Sequence, residues 1–233
     1  GFFPLFNILK RKNPDYLVIH LISSLPLIIL ILFNFKTKFI LRISGLPKLN
    51  FFRKILWKIA SKKIYAITCP TNLTKKKISE LKIIDEGKIF LLYDPIVTIR
   101  DIPKEKEKKI TNNKVNKKYF LAAGRFTPQK NFLFLFEKMN KFFKKEKDYQ
   151  LLIAGEGEQK KEINEYIKKN NLDNKIILLE HVNNLFYYMK EAELFILSSL
   201  WEDPGFVIIE AAFAKTLVLT SNCNTGPREL VKN

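Results

Sequence analysis

The feature that most constrains this chain is an alternation of short β-type runs with helix-period runs along most of its length. Runs of strand character lie at 17–20, 39–43, 66–68 and 89–92, with helical stretches near 25–33, 48–62 and 71–81 between them. Strands separated by helices of that length pair in parallel through crossovers, not as hairpins. Thr71 stands where a hydroxyl satisfies an open amide at a helix start. After a break the alternation resumes at 119–123, 150–154, 175–178, 194–197 and 217–220, with helices near 130–144, 158–169, 184–191 and 206–214. Five strands with four crossovers make a doubly wound α/β sheet, whose ligand sits beyond the C-terminal strand ends.

The break is compositional. Residues 100–117 are rich in Lys, Glu and Asn, include Pro103 and carry almost no apolar periodicity. They read as a solvated linker or surface hairpin between two domains, 1–99 and 118–233. Glu105 and Glu107 alternate with the lysines and no aromatic interleaves, which argues against a nucleic-acid-binding tail.

An apolar fraction of 47% supplies a sizeable core. The 41 Lys+Arg against 23 Asp+Glu give +18, which suggests a nucleic acid, an anionic membrane face or a phosphate-bearing substrate. Abundant Lys, Asn, Ile and Phe beside scarce Gly are also what an AT-rich coding sequence yields, and most of the charge is put down to that. Cys69 and Cys223 lack any CxxC partner, so neither a disulfide framework nor a zinc site is read, and a reducing compartment fits. Residues 16–35 are apolar and about long enough to span a bilayer. His20, Ser23, Ser24, Pro26 and Asn34 interrupt them, so a strand and then a buried helix is the better reading. The chain opens on Gly1 with neither an initiator Met nor a cleavage pattern. No signal peptide is expected, and the start of the natural protein is expected to be missing.

Three motifs fall just after expected strands. The first, Gly124-Arg125-Phe126-Thr127-Pro128-Gln129-Lys130-Asn131, lets the chain leave the strand at a glycine and puts two cations by a helix start. That combination suits a diphosphate, although one Arg and one Lys mean little alone in so basic a chain. The second, Ile153-Ala154-Gly155-Glu156-Gly157-Glu158, is equally a backbone approach to a nucleotide or a plain tight turn. Lys160 rules out the GxGxxG dinucleotide fingerprint. The third runs from Ser198 to Ala212: Glu202 lies on a loop, Gly205 opens a helix, and Glu210 follows seven residues after the first carboxylate. A carboxylate there can accept hydrogen bonds from a ribose diol, while the amides near Gly205, Phe206 and Val207 stay open to phosphate oxygens.

In this order and at these separations the motifs, with Gly226-Pro227-Arg228-Glu229 after them, resemble glycosyltransferase family 4, retaining enzymes of the GT-B fold. Residues 124–229 match the family's donor-binding domain, and Pro14-Asp15 before a strand ending in His20 is more loosely similar to its acceptor-side domain. The resemblance implies two doubly wound, Rossmann-like domains facing a cleft, the N-terminal one incomplete. It implies that Arg125 and Lys130 hold the nucleotide diphosphate, Glu202 contacts the transferred sugar and Glu210 binds the ribose. Phe206 and Val207 meet donor oxygens through their amides, beside Gly124, Gly155, Gly157 and Gly205. His20 resembles a histidine of acceptor handling and is equally an ordinary strand-end histidine.

The function implied is retaining transfer from a nucleotide-diphosphate sugar to a glycan or lipid-linked acceptor, as in cell-envelope polysaccharide synthesis. No metal or other cofactor is expected, since the two cations supply the counter-charge and no metal-ligand cluster shows. The cytoplasm is the expected setting, with the basic N-terminal half suited to the inner, anionic membrane face. The alternatives are a sugar-nucleotide epimerase of the same fold and, from another class, a basic nucleic-acid-binding protein. No nucleic-acid motif supports the latter. Asp203 and Pro204 stand where the family has a glycine and an aromatic, and His181 where a glycine is common, which leaves the sugar open. The family's N-terminal glycine-rich loop and C-terminal closing segment are not found, so truncation at both ends is expected.

Overall fold

The structure is a computed structural model that describes residues 1–20, 24–47, 49–94, 115–179, 182, 185–202, 204–223 and 226–231. It divides into two compact units, Gly1–Asp94 and Pro95–Asn233. Of the expected linker at 100–117, all but its last three residues lie outside the described ones.

The first unit runs α1 (Phe2–Lys12), β1 (Tyr16–His20), α2 (Ser24–Leu32), β2 (Lys38–Arg42), α3 (Phe51–Ala60), β3 (Ala66–Cys69), α4 (Asn72–Glu80) and β4 (Ile89–Leu91). Its strands are all parallel in the order β1-β2-β3-β4. Such a sheet steps in one direction, and right-handed crossovers then set the helices on one face. The buried face bears that out: Ile19, Phe39, Leu41, Ile67 and Ile89 form one core with Leu27, Leu30, Trp57 and Ile78. Side-chain caps start two of the helices. The Asn50 side chain accepts from the Arg53 amide, and Thr71, as expected, accepts from the Thr74 amide. Within 16–35 the described residues include β1 and α2, and among the described residues no helix is long and apolar enough to cross a membrane.

The second unit runs β5 (Lys118–Ala123), α5 (Phe132–Phe143), β6 (Tyr149–Ala154), α6 (Lys160–Lys169), β7 (Ile176–Leu179), α7 (Leu185–Glu191), β8 (Leu194–Leu197), α8 (Phe206–Phe213), β9 (Val218–Thr220) and α9 (Gly226–Leu230). All five strands are parallel in the order β7-β6-β5-β8-β9. Successive side chains point to opposite faces, so β5, β6, β7 and β8 each feed two cores. Ala122, Leu151, Ile153 and Ile176 pack with Phe132, Phe136 and Ile163 on one side. Leu121, Leu152, Ile177 and Phe195 pack with Met189, Ile208 and Ala211 on the other. Phe136 and Phe195 are wholly buried, and each contributes roughly 2–3 kcal/mol of transfer free energy. The order reverses between β5 and β8, and a doubly wound sheet opens its ligand crevice at that point.

Candidate functional site

The crevice is a cavity of about 620 Å³ lined by residues that follow β5, β6, β7 and β8 and by the start of α8. Of the residues singled out in the sequence, Gly124, Arg125, Lys130, Gly155, Glu202, Gly205, Phe206, Val207 and Glu210 all line it. Gly157 and His20 do not.

The loop after β5 begins at Gly124, whose φ of +153° lies outside ordinary L-residue territory. A Cβ there would sit 2.8 Å from Lys130 Cε, so the glycine also makes room for the lysine stem. Lys130 does not open the next helix, as its place in the motif suggested. It ends a single 3-10 turn, Pro128–Lys130, and Asn131 in the left-handed region separates it from α5. Gly155 serves the neighbouring loop: a Cβ would fall 2.0 Å from the Gly124 carbonyl oxygen. Gly157 acts one layer back. The Phe126 amide donates to the Glu156 carbonyl at 2.8 Å, and a Cβ on Gly157 would strike the Phe126 backbone at 2.6 Å.

The loop after β8 holds Glu202, buried at 6% exposure. Its Oε1 accepts from Lys130 Nζ at 2.5 Å and from Ser199 Oγ at 2.6 Å. A buried carboxylate needs such partners, because burial of an unpaired charge costs several kcal/mol. Further bonds tie the two loops together. Ser198 Oγ donates to the Lys130 carbonyl, the Leu200 amide to the Gln129 carbonyl and Gln129 Nε2 to the Trp201 carbonyl, each at 2.8 Å. Gln129, Ser198 and Ser199 lie within the first and third motifs but carry no role in the sequence reading; their part shows only once β5 and β8 prove to be neighbours.

Gly205 (φ 86°) caps α8, which leaves the Phe206 and Val207 amides without an intrahelical acceptor at the cavity wall. Glu210 lies one turn further on, and burial pushes its carboxyl above the usual range. Glu156, which the second motif includes without a role, also lines the cavity, as do Val182 and Leu185, which the sequence reading did not single out. Asp203 and His181 lie outside the described residues. Pro204 is buried, and its carbonyl abuts Gly226, where a Cβ would come within 1.5 Å. His20 is exposed at the end of β1, in the first unit, and is not among the residues that line this cavity. Both cysteines are buried, and neither is in a disulfide. Among the described residues no group of three or more His, Cys, Asp or Glu is placed to hold a metal ion.

Two cations, a paired buried carboxylate, open helix amides and a second carboxylate thus share one wall. The set can grip an anionic phosphate and accept hydrogen bonds from hydroxyls.

Residues 103–233 match the family described as "Glycosyl transferases group 1". An uncharacterised glycosyltransferase of Methanocaldococcus jannaschii is 30% identical, over 98% of this chain and 61% of that protein. The N-acetylgalactosamine-N,N'-diacetylbacillosaminyl-diphospho-undecaprenol 4-alpha-N-acetylgalactosaminyltransferase of Campylobacter jejuni is 31% identical, over 63% of this chain and 38% of that protein. The chain thus spans about six-tenths of the first relative's length and less of the second's. Among solved structures, Anabaena HepE in complex with UDP superposes with a TM-score of 0.78 at 15% identity, over 99% of this chain and 66% of that one. The fold is the GT-B type, with two Rossmann-like parallel-sheet units.

Proposed function

The chain belongs to the group 1 glycosyltransferases, and from that premise we propose that it is part of a retaining enzyme of family 4. The whole protein moves a sugar from a nucleotide-diphosphate-sugar donor to a glycan or lipid-linked acceptor in cell-envelope polysaccharide synthesis. It works at the inner face of the cytoplasmic membrane. The observation that carries this reading is the convergence of Arg125, Lys130, Glu202, the start of α8 and Glu210 on one cavity. The relative from Campylobacter jejuni, whose name includes a diphospho-undecaprenol group, supports the lipid-linked class of acceptor.

In this reading Arg125 and Lys130 grip the diphosphate, and the Phe206 and Val207 amides meet its oxygens. Glu210 accepts from the ribose hydroxyls. Glu202 faces the transferred sugar, and His20 handles the acceptor. The glycosyl–phosphate bond breaks as the acceptor oxygen bonds to the same face of the sugar, and the acceptor proton passes to the departing phosphate. Negative charge grows on the diphosphate, so fixed cations and amides lower the barrier by being in place beforehand. Neither a metal nor another cofactor enters the scheme.

A thermal-shift panel of nucleotide sugars on the intact protein, followed by NMR of the product anomer, tests the proposal. Stabilisation by one nucleotide sugar and a product with the donor's anomeric configuration are expected. No shift with any nucleoside diphosphate sinks the donor site, and an inverted product sinks the retaining assignment.

A further inference from the structure

Helix α3 is turned inside out at its outer surface. Trp57 and Ala60 face the core at 2% and 0% exposure, while Phe51, Phe52, Ile55 and Ile59 stand 72%, 78%, 43% and 52% exposed. At 100° per residue these four fall within one sector of the helix, Lys54 and Lys58 line its flank, and Lys62 stands in the turn just after it. Among the described residues no carboxylate pairs with these three lysines. Between Asp15 and Glu80 the chain carries twelve Lys and Arg and neither Asp nor Glu. Residues 1–94 hold 17 of the 41 basic residues but only 5 of the 23 acidic ones. An AT-rich codon bias favours Lys throughout but does not clear one segment of Asp and Glu, so it does not account for this separation.

We propose that the outer face of α3 is a membrane-docking surface that inserts Phe51, Phe52, Ile55 and Ile59 into the headgroup–acyl boundary of an anionic bilayer. Lys54, Lys58 and Lys62 then lie at the phosphate level. Aromatic and branched aliphatic side chains gain by leaving water there, and lysines keep their ammonium groups among the lipid phosphates. Nucleic acid fits the lysines but offers nothing to Ile55 and Ile59. The assignment deepens the membrane-face part of the function proposed above, yet it rests on the first unit alone and not on the donor cavity.

The test is partition of the intact protein onto vesicles of phosphatidylcholine with about 30 mol % phosphatidylglycerol. Pure phosphatidylcholine vesicles and a single-stranded oligonucleotide are run alongside. The wild-type protein is expected to favour the anionic vesicles. Phe52→Ser with Ile59→Ser should weaken partition at least tenfold, and Lys54→Gln with Lys58→Gln and Lys62→Gln roughly a hundredfold. These side chains point outward, so thermal stability and nucleotide-sugar binding should stay at wild-type levels, which keeps this test separate from that of the donor site. Vesicle binding undiminished in both variants overturns the proposal. Equal partition onto neutral and anionic vesicles, oligonucleotide binding that outcompetes the vesicles, or a dimer dissolved by the serine pair overturns it as well.

Discussion

Lys130 Nζ lies 2.5 Å from Glu202 Oε1, although 72 residues separate the two in the chain. The pair is nearly shut off from water, with side chains 14% and 8% exposed. Neutralising one partner strands the other charge, at a cost of about 3–5 kcal/mol. Lys130→Met should therefore lower stability in urea more than Lys130→Met combined with Glu202→Gln does. Equal losses would show that the pair is not coupled. In the intact enzyme Lys130→Ala should also cut donor turnover at least tenfold, about 1.4 kcal/mol of transition-state stabilisation.

Glu210 pits stability against binding. Burial holds its carboxyl above the ordinary range, so the folded state favours the protonated form. That preference supports the fold in full below the ordinary glutamate value and is lost as pH rises through the raised one. Glu210→Gln is therefore expected to raise Tm at about pH 7.5, with the gain vanishing near pH 4. The same change should weaken nucleotide-sugar binding, since the amide is a poorer acceptor for ribose hydroxyls. Calorimetric Tm at the two pH values, with donor titration, checks both halves.

Ser199 is a positioning residue for Glu202, because its hydroxyl donates to the oxygen that Lys130 also holds. Hydrogen bonds to a charged group contribute about 1.5–3 kcal/mol. Ser199→Ala should thus lower kcat about tenfold or more, with little change in donor KM, and Ser199→Thr should restore part of it. A shift confined to KM would contradict this role.

The alternation of periods was enough to locate nine strands and seven helices close to where they lie, because a parallel sheet buried by crossovers repeats the same pattern. Helix α1 is not foreshadowed by its ends: its N-cap is Gly1, with no side-chain cap, and Pro4 stands in its first turn. Helix α9 is only five residues and begins Gly226-Pro227, which reads as a turn. The glutamate pair and the first motif are visible as residues, but their meeting is legible only through the family resemblance. It depends on β5 lying beside β8, and strand order is not written in any local window. Gly157 does not line the cavity and packs against the Phe126 backbone instead, and a Gly-x-Gly turn alone does not say which of its glycines does which.

Gly226 is a steric tie between α9 and the loop that ends at Pro204. Gly226→Ala should push that loop aside and take Glu202 with it. Nucleotide-sugar binding should fall at least tenfold, and hydrogen exchange should quicken at Leu200 and Trp201. Unchanged exchange there would show that the loop absorbs the methyl group elsewhere.

The placement of β7 at the rim of the second sheet has an evolutionary consequence. Among the described residues, Val182 and Leu185, which follow that strand, form an apolar stretch of the cavity wall on the far side of β6 from the β5–β8 seam. Drift at these two positions reshapes the chamber without loosening the cation–carboxylate grip. Under the proposed function, descendants of such a scaffold would exchange one cargo for another while inheriting the same handle.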